Sequence, residues 1–230
     1  MVVAAVGAEE PEPGSLFDLR RDKDAPDEDV REISGYGLGM HSMSQVSGLS
    51  RFTNMTSLCL HGNCIARIEG LEHASRLTDL NLSSNSIAVM EGLGGLASLT
   101  SLNLASNKIQ SIEGLHGLWR LEKLVLSHNF IASIKGVSAL HGQHCSLACL
   151  DLRDNAVSSL RELSVLAGCM SLRSLQLAGS RGNEVTQLPK FREAVAAALP
   201  HLSDLDQLPL RRGGEGHAPA KGHGAAAAPP

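Results

Sequence analysis

The residues best suited to chemistry in this sequence are two histidines and two cysteines that lie close together, His141, His144, Cys145 and Cys149. Their imidazole and thiol groups are the ones that bind zinc in proteins. Their spacing, however, matches no standard zinc motif, and Cys149 falls in a predicted strand. Cys59 shares the predicted face of Cys149 but lies four strands away, roughly 19 Å at about 4.8 Å per strand. We therefore predict no metal site and no cofactor.

A catalytic set cannot be assembled from the sequence either. Four histidines fall at predicted surface positions, but no nucleophile, base and orienting group can be placed together. They are His61, His73, His116 and His128. The Gly-x-x-Gly pairs are not phosphate-binding loops, because no Gly-Lys-Ser/Thr follows them. We predict that the protein is not an enzyme and has no small-molecule substrate.

Most of the histidines and cysteines named above are positioned by a repeated sequence unit, Leu-x-Leu-x-x-Asn-x-Ile. Four copies follow at intervals of 22 residues, a fifth comes after 26, and a sixth is looser. Their first leucines are Leu58, Leu80, Leu102, Leu124, Leu150 and Leu175. Such a period is typical of a leucine-rich-repeat solenoid. In each strand the leucines would face the core, and the Asn amide would satisfy backbone groups at the bend.

The predicted fold class is therefore α/β. It is a leucine-rich-repeat solenoid with a parallel sheet on its concave face and short 3₁₀ or α turns on its convex face. A helical cap closes its C-terminal end. We divide the chain into a disordered acidic arm, a degenerate N-terminal capping repeat, the repeats, the C-terminal cap and a low-complexity tail. The corresponding ranges are 1–32, 33–54, 55–178, 179–206 and 207–230.

Composition limits the partners and the compartment. The formal net charge of −4 is too small to indicate nucleic acid or an anionic membrane surface. No apolar run approaches the roughly 18 residues that cross a bilayer, and no signal peptide pattern is present. The five cysteines are unevenly placed and do not form a disulfide framework. We predict a location in the cytoplasm or on the cytoskeleton, with protein partners.

The outward strand positions predict a partner-binding surface on the concave face. It is small and polar in the first three repeats and carries mixed charges in the fourth and fifth, where we place the binding patch. Aromatic anchors, the usual hot-spot residues, are missing from these positions. An ordinary hydrated strand face is the alternative. The candidate residues are Asp79, Asn81, Asn103, Lys123, Val125, His128, Asp151, Arg153 and Asp154.

Trp119 is a separate candidate, because it is the one tryptophan of the sequence. It stands in Leu118-Trp119-Arg120-Leu121, whose leucines are expected to enter the core. The indole should then lie partly exposed near one edge of the solenoid. It is either an anchor for a partner or a cover for a neighbouring turn.

The pattern Ile-x-x-Ile-Glu-Gly-Leu, found at 65–71 and 109–115, resembles the small intracellular class of leucine-rich repeats. That class includes the nuclear regulator of protein phosphatase 1, a light chain of outer-arm axonemal dynein and a U2 spliceosomal subunit. The ending Leu188-Pro-x-Phe191-Arg192 to Leu205-Asp206 resembles the C-terminal cap of the same class.

Two details narrow the resemblance. The insertion from Leu140 to His144 and the stretch from Gly182 to Pro189 are similar to the centrosomal leucine-rich-repeat and coiled-coil family and its algal basal-body relatives. The similarity spans residues 33–206. It implies a non-enzymatic interaction scaffold in a centriole, basal body or ciliary microtubule assembly, with cytoskeletal or ciliary protein partners. A regulatory subunit of protein phosphatase 1 or a light chain of an axonemal dynein is the alternative.

Overall fold

One continuous sheet extends through the repeats. A computed structural model describes residues 2–6, 19–20, 29–46, 49–142 and 144–210. Nine strands of this part run parallel, and one antiparallel strand closes each edge, in the order β2-β1-β3-β4-β5-β6-β7-β8-β9-β10-β11. The strands are β1 Val2–Val6, β2 Leu19–Arg20, β3 Val30–Ser34, β4 Ser57–Cys59, β5 Asp79–Asn81, β6 Ser101–Asn103, β7 Lys123–Val125, β8 Cys149–Asp151, β9 Ser174–Gln176, β10 Asp204–Leu205 and β11 Leu208–Pro209.

The strands pair in the register that the repeat predicts. Leu80 pairs with Leu102, and Leu102 with Leu124, so equivalent leucines stack along the solenoid. Leu102 and Leu104 are both fully buried. Their neighbours point the other way because side chains alternate along a strand. The predicted parallel-sheet solenoid with an aliphatic core is confirmed.

A column of asparagines supports the turn after each strand. The Nδ2 of Asn107 donates to the carbonyl oxygens of Leu82 at 3.0 Å and Leu104 at 3.1 Å. Its Oδ1 accepts from the backbone N–H of Ile87 at 2.9 Å. Each Asn thus joins two adjacent repeats, as the sequence predicts. Its equivalents are Asn63, Asn85, Asn129, Asn155 and Asn183.

The convex side is less helical than predicted. The connections after β4, β5 and β6 are turns and bends without an assigned helix. A glycine such as Gly92 lies in each of them with positive φ, and a Cβ there would clash with the carbonyl of Ile68 in the preceding repeat. The glycine thus lets the chain pass close to the backbone of the preceding repeat. Elsewhere the connections carry α1 Leu160–Leu163 and 3₁₀ helices Met43–Gln45, Leu49–Arg51, Lys135–Leu140, Ser164–Gly168 and Glu184–Gln187.

The N-terminal end differs from the sequence expectation. Strands β1 and β2 fall inside the region predicted to be a disordered arm, and β3 crosses the boundary drawn between 32 and 33. β3 pairs with β4 in repeat register, with Ile33 opposite Leu58. Edge pairing supplies the physical reason, because the free edge of β4 presents backbone groups that another strand satisfies. The rest of the predicted arm, 1, 7–18 and 21–28, lies outside the described residues.

The C-terminal end is closed by α2 Phe191–Ala198, β10 and β11. Phe191 and Val195 of α2 are buried in the core. Arg192 on the same helix donates to the carbonyl oxygens of Leu205 at 2.9 Å and Leu208 at 3.1 Å, which fastens the helix to the last two strands. β11 lies within the predicted tail, 207–230, of which residues 211–230 are outside the described part. The division into five regions stays a prediction.

Candidate protein-binding site

The outward side chains of the strands form three columns along the concave face. The first column comprises Glu32, Ser57, Asp79, Ser101, Lys123, Cys149 and Ser174. The second column comprises Ser34, Cys59, Asn81, Asn103, Val125, Asp151 and Gln176. The third column follows the same alternation and comprises Tyr36, His61, Ser83, Ala105, Ser127, Arg153 and Ala178. These columns are the positions at which the sheet can contact a partner.

A shallow concavity of about 300 Å³ lies on this face across β4 to β7. Its polar lining consists of two serine hydroxyl groups, two asparagine amides and two opposite charges, those of Asp79 and Lys123. Five of the predicted site residues meet here, namely Asp79, Asn81, Asn103, Lys123 and Val125. The structure also adds Ser57, Cys59 and Ser101, which the sequence-based candidate set did not include.

Hydrogen bonds fix how Asn81 and Asn103 face the concavity. The Oδ1 of Asn81 accepts from the backbone N–H of Ser83 at 3.1 Å and from its hydroxyl at 2.7 Å. The Oδ1 of Asn103 accepts from the N–H of Ala105 at 3.0 Å. Neither Nδ2 group has a hydrogen-bond partner among the described residues. These two residues therefore offer hydrogen-bond donors to a ligand.

Tyr36 is the functional candidate that the sequence analysis missed. Its ring stacks on His61, with the centroids 5.2 Å apart and the planes 18° apart, and Tyr36 is still 67% exposed. The outward positions of β4 to β9 carry no Phe, Tyr or Trp, as the sequence indicates, and Tyr36 adds an aromatic ring after the preceding strand, β3. The available signal was Ile33, which stands 25 residues before Leu58 and so places Tyr36 opposite His61.

The predicted mixed-charge patch is partly neutralised within the protein. Arg153 Nη2 and Nε bind the two carboxylate oxygens of Asp151 at 2.7 and 3.0 Å. The hydrogen bond to Asp151 outweighs desolvation and raises the pKa of Arg153. Asp151 itself is only 5% exposed. Its carboxylate is consequently committed to Arg153, and the pair presents little net charge to a partner.

His128 and Asp154 lie in the turns after β7 and β8, outside the three columns. Asp154 accepts from the backbone N–H groups of Arg181 at 2.6 Å and Gly182 at 2.9 Å, and it pairs with His128 at 3.3 Å. Burial tends to raise the pKa of Asp154, but these hydrogen bonds and His128 together lower it. This carboxylate therefore holds the loop after β9 in place, and its predicted contact with a partner is untested.

The remaining candidates lie apart from the concave face. Trp119 is 46% exposed, in agreement with the expected partial exposure, and its role as an anchor stays a prediction. Burial, with the neighbouring Cys145, raises the pKa of Cys169 to about 12, so that thiol stays protonated. No group of three metal-binding side chains occurs within the described residues. Nor does any helix of that part have the length and apolarity to cross a membrane.

This architecture defines a repeat solenoid with an open polar face. A profile of the leucine-rich-repeat family matches residues 71–223, and the chain belongs to that family. No curated protein matches the sequence. Solenoids of this family present extended concave surfaces typical of protein–protein interaction scaffolds.

Solved structures with the same fold include two bacterial proteins and a receptor in a complex with RNA. A leucine-rich-repeat protein of Leptospira interrogans is 27% identical with a TM-score of 0.62, over 73% of this chain and 41% of its own. An internalin from Listeria monocytogenes is 23% identical with a TM-score of 0.59, over 76% of this chain and 46% of its own. TLR13, in a complex with ssRNA13, is 30% identical with a TM-score of 0.52, over 61% of this chain and 20% of its own. The chain thus spans less than half the length of these proteins.

Proposed function

We propose that this protein is a non-enzymatic interaction scaffold whose concave face binds a partner protein. The observation that carries the proposal is the concavity on β4 to β7, lined by outward side chains of the strands. Its donors and charges are held on a sheet whose register is fixed by buried leucines. A surface preorganised in this way loses little entropy when a partner binds.

A side chain that fills the concavity tests this proposal. Ser101 is half-buried at the centre of the lining, so Ser101→Trp should block a partner without disturbing the core. Gln110 is exposed in the connection after β6, which makes Gln110→Trp the matched control. We expect Ser101→Trp to reduce co-purification of the native partner at least about tenfold. Equal recovery with both variants would move the interface away from the concave face.

At a finer level, we propose that the scaffold serves a centriole, basal body or ciliary microtubule assembly. The support is the sequence similarity of the insertion from Leu140 to His144 and of the stretch from Gly182 to Pro189. A scaffold without chemistry contributes by holding partners in a fixed geometry, which a microtubule-based assembly requires. Cytoskeletal or ciliary proteins are the corresponding partners.

Localisation of a tagged full chain in ciliated cells tests the finer proposal. The expected result is concentration at the centriole, the basal body or the cilium, together with a microtubule marker. Diffuse signal would contradict it. Concentration in the nucleus with protein phosphatase 1, or along the axoneme with the dynein arms, would favour the alternative regulatory or light-chain role.

A further inference from the structure

We propose that the N-terminal half of the concave face, from β3 to β6, binds a basic extended segment of the partner protein. The inference rests on the proposed function, because it names the chemistry recognised by the same face. It also moves the binding centre away from the fourth and fifth repeats. We call this half the acidic-aromatic surface and define it by Glu32, Tyr36, His61, Asp79 and Asn81.

Charge is the first argument. Among the described outward positions from β3 to β6, the formally charged side chains are Glu32 and Asp79, both acidic. The next charge along the face is Lys123 on β7, and beyond it Arg153 is paired with Asp151. Charge complementarity therefore favours a cationic segment at this end of the solenoid.

Tyr36 supplies a rigid platform for one of the cations. Its ring lies on His61 and beside Gly62, where an added Cβ would come within 3.2 Å of the ring. The equivalent positions in the next repeats carry Ser84 and Ser106, also with positive φ. A glycine at 62 thus makes room for the tyrosine. An exposed aromatic ring held in one place can bind the guanidinium of an arginine or the ammonium of a lysine through cation–π attraction.

A hydrogen-bonded chain connects this platform to the donors of the concavity. His61 Nδ1 lies 2.8 Å from Ser83 Oγ, and that hydroxyl donates to Asn81 Oδ1. Because the hydroxyl proton is directed to Asn81, Ser83 accepts from His61. The outcome is a free Nδ2 donor on Asn81, which suits a backbone carbonyl of the bound segment. Tyrosine, serine and asparagine are also the residues enriched in antibody binding loops, where they combine rigid contact with adaptable hydrogen bonding.

The geometry sets the spacing of the two cations. Tyr36 and Asp79 are two strands apart across the sheet and four residues apart in register along it. These steps amount to roughly 16 Å, a distance that an extended chain covers in about five residues. Because only alternate side chains of an extended chain share a face, the expected ligand has two Lys or Arg side chains about four or six residues apart, one on Tyr36 and the other at Asp79.

Selection of phage-displayed random 12-residue peptides on the full chain tests the inference. We expect enrichment of peptides with two basic residues at that spacing. For a synthetic selected peptide, Tyr36→Ala and Gly62→Ser should each raise the Kd about fivefold. Gly62→Ser retains the tyrosine but displaces its ring, and Ser84 and Ser106 show that the fold accepts serine there. Asp79→Lys should weaken binding at least about tenfold, and replacing the second basic residue of the peptide with Glu should restore it.

Gln110→Ala and Phe130→Ala are the controls, since both residues are exposed outside the three columns. Their Kd values should equal that of the parent chain, and Gly62→Ser should melt only a few degrees below the parent, since serine is strained at positive φ but is accepted at Ser84 and Ser106. Selection of acidic peptides, or equal binding by Tyr36→Ala and Asp79→Lys, would overturn the inference. If Ser101→Trp blocked those peptides but Tyr36→Ala and Asp79→Lys did not, binding at the concave face would be supported and the preference for basic segments would be contradicted.

Discussion

Two asparagines of the same repeat have opposite roles. Asn107 is buried and holds backbone groups of two adjacent repeats, whereas Asn103 faces the concavity with a free donor. The repeat spacing predicts the first role, because the bend needs a partner for its backbone groups. The orientation of the Asn103 amide could not be predicted, since it depends on a hydrogen bond from Ala105 that only the folded turn reveals.

Substitution of the buried asparagine should cost far more than substitution of the exposed one. Asn107→Ala leaves the carbonyls of Leu82 and Leu104 and the N–H of Ile87 without these partners. We expect a loss of about 2–4 kcal/mol in the free energy of unfolding. Asn103→Ala should change it by about 0.5 kcal/mol or less. Urea titrations of both variants measure the difference, and similar costs would show that the Asn column is not a structural requirement.

Asp154 shows where sequence reasoning fails at this scale. The sequence places it beside the charged strand residues, but its partners Arg181 and Gly182 come from a loop 27 and 28 residues away. Such contacts have no local signature. A carboxylate that accepts two hydrogen bonds from backbone N–H groups of another repeat has a structural role. Its substitution should lower the stability of the fold more than it lowers the affinity for a partner.

The lowered pKa of Asp154 makes a pH-dependent contribution to stability. A carboxyl group whose folded-state pKa is depressed stabilises the fold above the ordinary aspartate pKa of about 3.9, and loses that contribution as the pH falls through the folded pKa. Asp154→Asn should therefore be less stable than the parent at pH 7, and the gap should narrow below about pH 4. Melting temperatures across this pH range measure it. A constant gap would mean that Asp154 titrates normally.

At the scale of elements, the period of the repeat predicts the strands, their register and the core, because each strand packs the same two leucines against those of its neighbours. Leu160, Leu163 and Leu166 recur at helical spacing, and they lie in α1 and the following 3₁₀ helix. The edge strands could not be predicted. β1, β2 and β11 lack the repeat motif and owe their positions to free backbone groups at the two ends of the sheet.

The C-terminal cap should be required for stability. Without it, Leu175 would lose its strand partner Leu205 and the last repeat would be exposed, and terminal repeats with apolar outer sides are poorly soluble. Deletion of residues 184–230 should cause aggregation or a lower melting temperature. Deletion of 211–230 is the control and should leave melting unchanged. A stable, monomeric product of the longer deletion would refute the cap assignment.

At the scale of the whole molecule, stability is shared between neighbouring repeats. Leu104 is fully buried in the middle of the stack, so Leu104→Ala should cost roughly 2–5 kcal/mol. A repeat solenoid transmits that loss to its neighbours through the interfaces between repeats. Chemical unfolding with hydrogen exchange would show the weakened protection centred on β5 to β7. A loss under about 0.5 kcal/mol would contradict the continuous core.

The fold and the binding face were therefore predictable to different degrees. Leucine spacing determines the solenoid and the identity of the outward columns. Which part of the face can bind a partner depends on two further features. Asp151 and Arg153 neutralise each other as an ion pair, and Tyr36 stands on a repeat that the leucine motif does not mark. The ion pair lies within one repeat and the stacking of Tyr36 on His61 joins two neighbouring repeats, and the period alone specifies neither contact.

The central claim is that the partner binds the concave face, and site-specific photo-cross-linking tests it most directly. A photoreactive benzophenone amino acid would be placed separately at Ser57, Ser101, Gln110 and Trp119 in the full chain, within cells that contain the native partner. The account predicts one common cross-linked partner from Ser57 and Ser101 on the concave face and none of that product from Gln110. Cross-links from Gln110 or Trp119, with none from Ser57 and Ser101, would contradict it.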